Sequence, residues 1–223
     1  MDARSFPTVL SICAALAMSG SGRAAEIALT AFEPFGGVPV NNSAEVMKRL
    51  AAKLRDAGVD EVVECVLPVE YDRAAKIALG CIGAREPELV LSLGAGGCEI
   101  HYETRGHNRD DTGSADNAGV LRNRNTEIVP GGPEYLELNA PMSEIFRRAA
   151  RHGSPGRISS DAGAYVCNNT AYWLAKVFTK PGSATQYGFI HVPPTTCSAK
   201  IADAGRIAET IFEGVRGAMP ELF

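Results

Sequence analysis

Hydrophobic residues along the chain alternate between two patterns. Short continuous apolar runs occur at EIALTAF (Glu26–Phe32), EVVECVL (Glu61–Leu67), ELVLSLGAGG (88–97) and YGFIHV (Tyr187–Val192). Runs of this length, bounded by Gly, Pro and Asn, read as buried strands. Between them, apolar positions recur every three or four residues. Val46, Leu50, Leu54 and Ala57 share one helical face, with Ser43 expected to cap it, and Ala75, Ile77, Ala78 and Ile82 do the same within Tyr71–Glu86. Further helices are expected over Ile145–Arg151, from Cys167 onward, and over Ile201–Met219, where Ile201, Ile207, Ile211, Phe212 and Val215 form the apolar face. The segment Glu99–Asn108 reads as extended, RISSDAG (157–163) as a short strand and turn, and Asp110–Pro141 as a polar, turn-rich excursion over the active face. Strands alternating with helices predict an α/β fold with a mostly parallel twisted sheet and helices on both faces. In such sheets sites form beyond the carboxyl ends of strands, so Gly36-Gly37, Gly94–Gly97, Cys167 and His191 should gather at one edge.

Composition narrows this reading. The 223 residues are 45% hydrophobic and 22% charged, as expected for a single core. A net charge of −4 gives no basic footprint for nucleic acid, and no such partner is expected. The first segment differs: Arg4, an apolar stretch from Val9 to Met18 too short to span a bilayer, then Gly22 and Ala24 at small positions. Residues 1–25 therefore read as a signal peptide or leader, and 26–223 as one domain with no membrane segment. A mis-assigned start is the alternative. Of the six cysteines, Cys13 falls in the leader, and an exported chain can pair four of the other five and keep one free thiol. No C-x-x-C spacing occurs, so no zinc site is expected.

Cys167, in DAGAYVCNNTAYW (161–173), lies just after a glycine turn at an expected helix start. Free N–H groups and the helix dipole stabilise a thiolate there, whereas an inert core cysteine is the plainer reading. His191 ends a strand and precedes Pro193-Pro194, a stiff exit that suits a fixed base. A Cys–His pair needs a third group to orient the imidazole, and Glu103 and Asp161 both qualify. Asp161 has an ordinary alternative as a turn former. GAGG is not followed by Gly-Lys-Ser/Thr and is no phosphate loop. The N-x-S/T patterns at Asn41 and Asn168 are taken as chance matches, the second because it abuts Cys167.

FEPFGG, GAGG followed by YETRGHN, SSDAGAYVCNNTAYW and GFIHVPP occur in this order, and together they resemble the pyroglutamyl-peptidase I (pyrrolidone-carboxylate peptidase) family from Glu26 to the C-terminus. The resemblance implies a three-layer α/β/α sandwich and a cysteine exopeptidase that releases N-terminal pyroglutamate through a thioester. It implies no metal or cofactor. The family's cysteine falls on Cys167, its histidine on His191 and its glutamate on Glu103, which chooses between the two carboxylates left open above. Phe35 and Tyr165 match the aromatic positions around the pyroglutamyl ring, with Phe32 beside them as pocket wall or core. The implied partners are peptides with N-terminal pyroglutamate, and a homo-oligomer is compatible with the sequence. Two other readings stand beside this one: an amidase acting on another small cyclic amide, and a non-catalytic binding protein that retains the pocket. Gly94 and Cys98 depart from the Gln and Arg of bacterial members, and Gly113 from a later Arg. The family is mostly cytoplasmic, which sits uneasily with a leader: either the leader is spurious, or the enzyme is periplasmic or secreted with Cys65, Cys81, Cys98 and Cys197 paired among themselves.

Overall fold

A computed structural model describes residues 26–154 and 156–223, so the expected leader lies outside the described residues. In chain order the elements are β1 (Glu26–Phe32), α1 (Asn42–Asp56), β2 (Glu61–Leu67), α2 (Arg73–Ile82), β3 (Leu89–Ala95), β4 (Ile100–Glu103), β5 (Arg105–His107), β6 (Asp110–Asp111) and β7 (Asn123–Thr126). They continue with β8 (Tyr135–Glu137), α3 (Met142–Ala149), β9 (Gly156–Ser159), α4 (Val166–Phe178), β10 (Gln186–Val192) and α5 (Ala204–Ala218). Six strands form the central sheet in the order β2-β1-β3-β10-β4-β9. Every pairing is parallel except β10 with β4, which run antiparallel.

Period-two alternation sorts the strands' side chains between two cores. Ile27 and Leu29 of β1, Leu91 and Leu93 of β3, and Ile190 and Val192 of β10 pack with α1, α3 and α5. Ala28, Val90, Tyr187 and Phe189 face the other way, onto α2 and α4. The result is the three-layer sandwich. The same alternation carries His191 onto the α2/α4 face, two residues beyond Phe189 and four beyond Tyr187.

Several boundaries differ from expectation. The cap of α1 is Asn41, whose side chain accepts from Ser43 N at 3.1 Å, while Ser43 is the helix's second residue. Asparagine caps as well as serine, and the consecutive Asn41, Asn42 and Ser43 left the choice open in the sequence. Helix α2 begins at Arg73 and stops at Gly83, whose φ of 67° turns the chain out; Ile77 lies on its exposed face. Helix α3 begins at Met142 and α5 at Ala204, capped by Asp203, whose side chain accepts from Arg206 N. The 110–141 excursion is not all loop: β6 pairs with β7, and β8 pairs with β5, as two small antiparallel ribbons. No helix among the described residues is long and apolar enough to cross a membrane.

Candidate active site

Gly94, Cys167 and His191 meet at the carboxyl ends of β3 and β10, whereas a Cβ on Gly36 or Gly37 would meet nothing within 4 Å. Register in the antiparallel β10–β4 pair sets His191 opposite His101 and Phe189 opposite Glu103. Directly opposed residues share a face, so β4 sends Glu103 and His101 toward the same side as His191. Glu103 Oε1 lies 2.8 Å from His191 Nδ1, with Glu103 fully buried and His191 nearly so. The second carboxylate oxygen, Oε2, is buried without a partner among the described residues.

Cys167 is the second residue of α4. It is half-buried and, among the described residues, the one cysteine outside a disulfide. It lines the same pocket as His191. Burial disfavours the charged imidazole, but the neighbouring Cys167 and Glu103 outweigh that penalty and raise the His191 pKa above the ordinary histidine value. Tyr165, at the cap position of α4, makes no side-chain cap bond, and the first turn holds no acidic residue. The first intrahelical bond of α4 runs from Asn169 N to Tyr165 O, so the N–H groups of Val166, Cys167 and Asn168 at the first turn lack an intrahelical acceptor.

A pocket of about 150 Å³ opens on this pair, small beside the roughly 300–1,000 Å³ that holds drug-sized ligands. Phe32, Phe35, Val69, Ala162 and Tyr165 line it together with Asn41, Cys167 and His191. Phe35 and Tyr165 stand 6.2 Å apart between ring centroids, and Tyr165 is pinned by its hydroxyl, which donates to Ala115 O at 2.9 Å. Phe32 is 2% exposed, so it is core and pocket wall at once. Asp161, the other candidate orienter, stands apart: it pairs with Arg109 at 3.4 Å, and its Oδ1 accepts from Gly163 N, the turn role. His107 also lies away, bonded to Ser160 O.

A sequence model of the pyroglutamyl peptidase family matches residues 25–220. The chain belongs to the pyroglutamyl peptidase family. It is 33% identical to pyrrolidone-carboxylate peptidase 2 of Caldanaerobacter subterraneus subsp. tengcongensis over 196 residues, covering 83% of this chain and 93% of that protein. It is 33% identical to a pyrrolidone-carboxylate peptidase of Vibrio vulnificus over 199 residues, covering 87% of this chain and 91% of the relative. Among solved structures, the pyrrolidone carboxyl peptidase of Pyrococcus furiosus superposes with a TM-score of 0.75 at 27% identity, covering 89% of this chain and 100% of that one. The pyroglutamyl peptidase I of Bacillus amyloliquefaciens does so with a TM-score of 0.75 at 26% identity, over 88% and 96%. As a member of the pyroglutamyl peptidase family the protein is a cysteine-type omega peptidase.

Sequence reasoning missed several residues that build the site of this family member. Asn168, set aside above as a chance glycosylation match, and the neighbouring Asn169 are fully buried. Asn168 Oδ1 accepts from His107 N at 2.8 Å, and its Nδ2 donates to His107 O and Arg109 O. Asn169 Oδ1 accepts from Asp72 N, and its Nδ2 donates to Asp72 Oδ1 and Asp110 Oδ2. Asp72, a non-glycine residue at φ 58°, also accepts from Arg122 and from Trp173 Nε1. Two asparagines directly after a suspected nucleophile were the available signal. Asn42 was missed too: its Nδ2 donates to Pro193 O at 2.6 Å and Ala202 O at 3.0 Å, fixing the exit of β10. Cys98 pairs with Cys197, and Cys65 with Cys81.

Proposed function

We propose that the protein removes N-terminal pyroglutamate from peptides, with Cys167 as nucleophile, His191 as proton carrier and Glu103 as the residue that orients it. The observation carrying this reading is the buried Glu103 carboxylate 2.8 Å from His191, with His191 and Cys167, the one free cysteine among the described residues, lining the same pocket. His191, its pKa raised, takes the proton of the Cys167 thiol and holds it while sulfur acts as the nucleophile. The thiolate attacks the carbonyl that joins pyroglutamate to the next residue. The N–H groups of the first turn of α4 receive the oxyanion. His191 gives its proton to the leaving amine, and a thioester remains on Cys167. His191 then takes a proton from water, the hydroxide attacks the thioester, and pyroglutamate leaves as the thiol is restored.

The pocket supports this substrate class. A pyroglutamyl ring is small, flat and uncharged, and Phe35 and Tyr165 provide walls for its faces. No carboxylate lines the pocket among the described residues, so the ammonium of an ordinary N-terminus would be buried without a partner. Export of the mature chain from a leader over 1–25 belongs to the same proposal, since two disulfides suit an oxidising compartment.

Hydrolysis of a pyroglutamyl arylamide tests the reading, against alanyl and other aminoacyl arylamides as controls. Cys167→Ser and His191→Ala are expected to lose turnover by at least about 10³-fold while circular dichroism stays unchanged. Turnover surviving in either folded variant defeats the assignment.

A further inference from the structure

His191 gets its place from the strand that carries it and from the two loops that leave the sheet on either side of it. One is the β3–β4 loop, residues 96–99; the other is the β10–α5 loop, residues 193–203. The first packs its backbone directly on the catalytic side chains. A Cβ placed on Gly94, at the end of β3, would sit 2.9 Å from Cys167 Sγ and 3.0 Å from His191 Cδ2. One on Gly96 would sit 3.1 Å from His191 Cδ2, and one on Gly97 3.0 Å from His101 Cε1. This glycine run therefore forms the floor against which the imidazole stands, and its backbone leaves no slack.

A floor of glycines is the most deformable kind of backbone, since glycine has the widest range of φ and ψ. Beyond the β3–β10 ladder, which ends with Ala95 opposite Val192, Gly96 N donates to Val192 O at 3.0 Å. What closes the arrangement covalently is the Cys98–Cys197 disulfide. Cys98 directly follows Gly97, and Cys197 stands six positions after His191. Together with that Gly96–Val192 bond, the disulfide clamps the glycine floor to the strand end that carries His191. Asn42 Nδ2 holds the 193–203 loop near both of its ends, donating to Pro193 O and to Ala202 O. The second disulfide, Cys65–Cys81, joins β2 to α2 and touches none of these residues.

We infer that Cys98 and Cys197 are positioning residues for the His191–Cys167 pair, acting through the Gly94–Gly97 backbone, so that the enzyme works with this disulfide closed and Cys167 reduced. The inference rests on the function proposed above. A dithiol such as dithiothreitol opens the disulfide by delivering two electrons and two protons: two protein thiols form, and the reductant becomes its own cyclic disulfide.

Three full-length proteins decide it: wild type, C98S/C197S and C65S/C81S, each assayed on a pyroglutamyl arylamide at a temperature where circular dichroism shows it folded. C98S/C197S is expected to lose about 10²-fold in kcat with KM nearly unchanged, because the pocket walls are intact while the reacting groups are displaced. C65S/C81S is expected to keep both constants. Iodoacetamide labelling of Cys167 at neutral pH, followed by peptide mass spectrometry, should slow in C98S/C197S alone; this readout needs no substrate. A wild type inactive on the arylamide whose labelling still slows in C98S/C197S would sink the substrate assignment and leave the positioning role standing. Wild-type kcat and labelling rate in folded C98S/C197S overturn the inference, and so does an equal loss of kcat in both double variants. Should C98S/C197S not fold, graded reduction of the wild type serves: kcat is expected to fall with the fraction of Cys98–Cys197 opened. Constant turnover as that fraction rises overturns it equally.

Discussion

His191 is buried, and a buried imidazole alone would shed its proton. Its raised pKa comes from Cys167 and Glu103, and this makes Glu103 more than a hinge for the ring. In the proposed mechanism the proton on His191 is the one delivered to the leaving amine, so kcat/KM is expected to fall as pH climbs through the His191 pKa. Removing the carboxylate charge lowers that pKa. Glu103→Gln keeps an acceptor near Nδ1, yet it should move the alkaline limb of the kcat/KM profile to lower pH and reduce kcat by about 10²-fold. An alkaline limb that stays in place would show that Glu103 has no electrostatic hold on His191. Gly94 makes a second case at this scale. The resemblance sets a glutamine at this position in bacterial relatives, but here a side chain would meet Cys167 Sγ, His191 Cδ2 and Phe189 Cζ, all within about 3.0 Å. Gly94→Ala should force sulfur and imidazole apart, lowering kcat by at least about tenfold and costing about 1–3 kcal/mol of stability by overpacking. Kinetics and urea denaturation of the purified variant measure both effects.

Helix α4 carries Cys167, and its start is set by side chains rather than by its own cap. Asn168, itself fully buried, bridges it to the backbone of His107 and Arg109 with three hydrogen bonds. Asn168→Ala would strand those backbone groups, each at about 1–3 kcal/mol, so at least about 2 kcal/mol of stability should be lost, read from the urea midpoint at constant m. If the midpoint holds, the bridge carries no stability. The strands β1, β3 and β10 were legible as apolar runs because both of their faces are buried, while the edge strand β2, with Val66 exposed, was legible from its valines and leucine. Glu103 was legible as one of two carboxylates, and the family motif chose it. The extended reading of Glu99–Asn108 holds in β4 and β5, but the direction of β4 was not legible, and its antiparallel pairing with β10 is what aims Glu103 at His191. Strands β6 (DD) and β7 (NRNT) are wholly polar, held by long-range contacts such as Arg122 on Asp110 and Asp72, and no local pattern announces them.

At the scale of the whole molecule, the cysteines divide by burial and reach. Pairing could not be read from spacing, because separations of 16 and 99 residues fit no local motif, and only the fold brings the partners together. Cys65 on β2 meets Cys81 on α2 across the β2–α2 crossover, and Cys98 meets Cys197 across the active edge of the sheet. In the chain-entropy account a bridge closing the longer span stabilises more: about 3 kcal/mol for a loop of some 15 residues against about 4.7 for one near 100. C98S/C197S should therefore melt earlier than C65S/C81S. The same division has a chemical consequence. Exported and oxidised, the mature chain would have lost Cys13 with the leader, sealed four cysteines in two bridges and kept Cys167 as the single thiol. An enzyme of this kind can live where a pool of free thiols would be oxidised, because the one sulfur it uses has no second cysteine left to pair with. Titration with a chromogenic disulfide in denaturant should count one thiol per mature chain before reduction and five after it. Five thiols before reduction, in protein recovered from its native compartment under acid quench, would mean that neither bridge forms there, and the case for export would go with them.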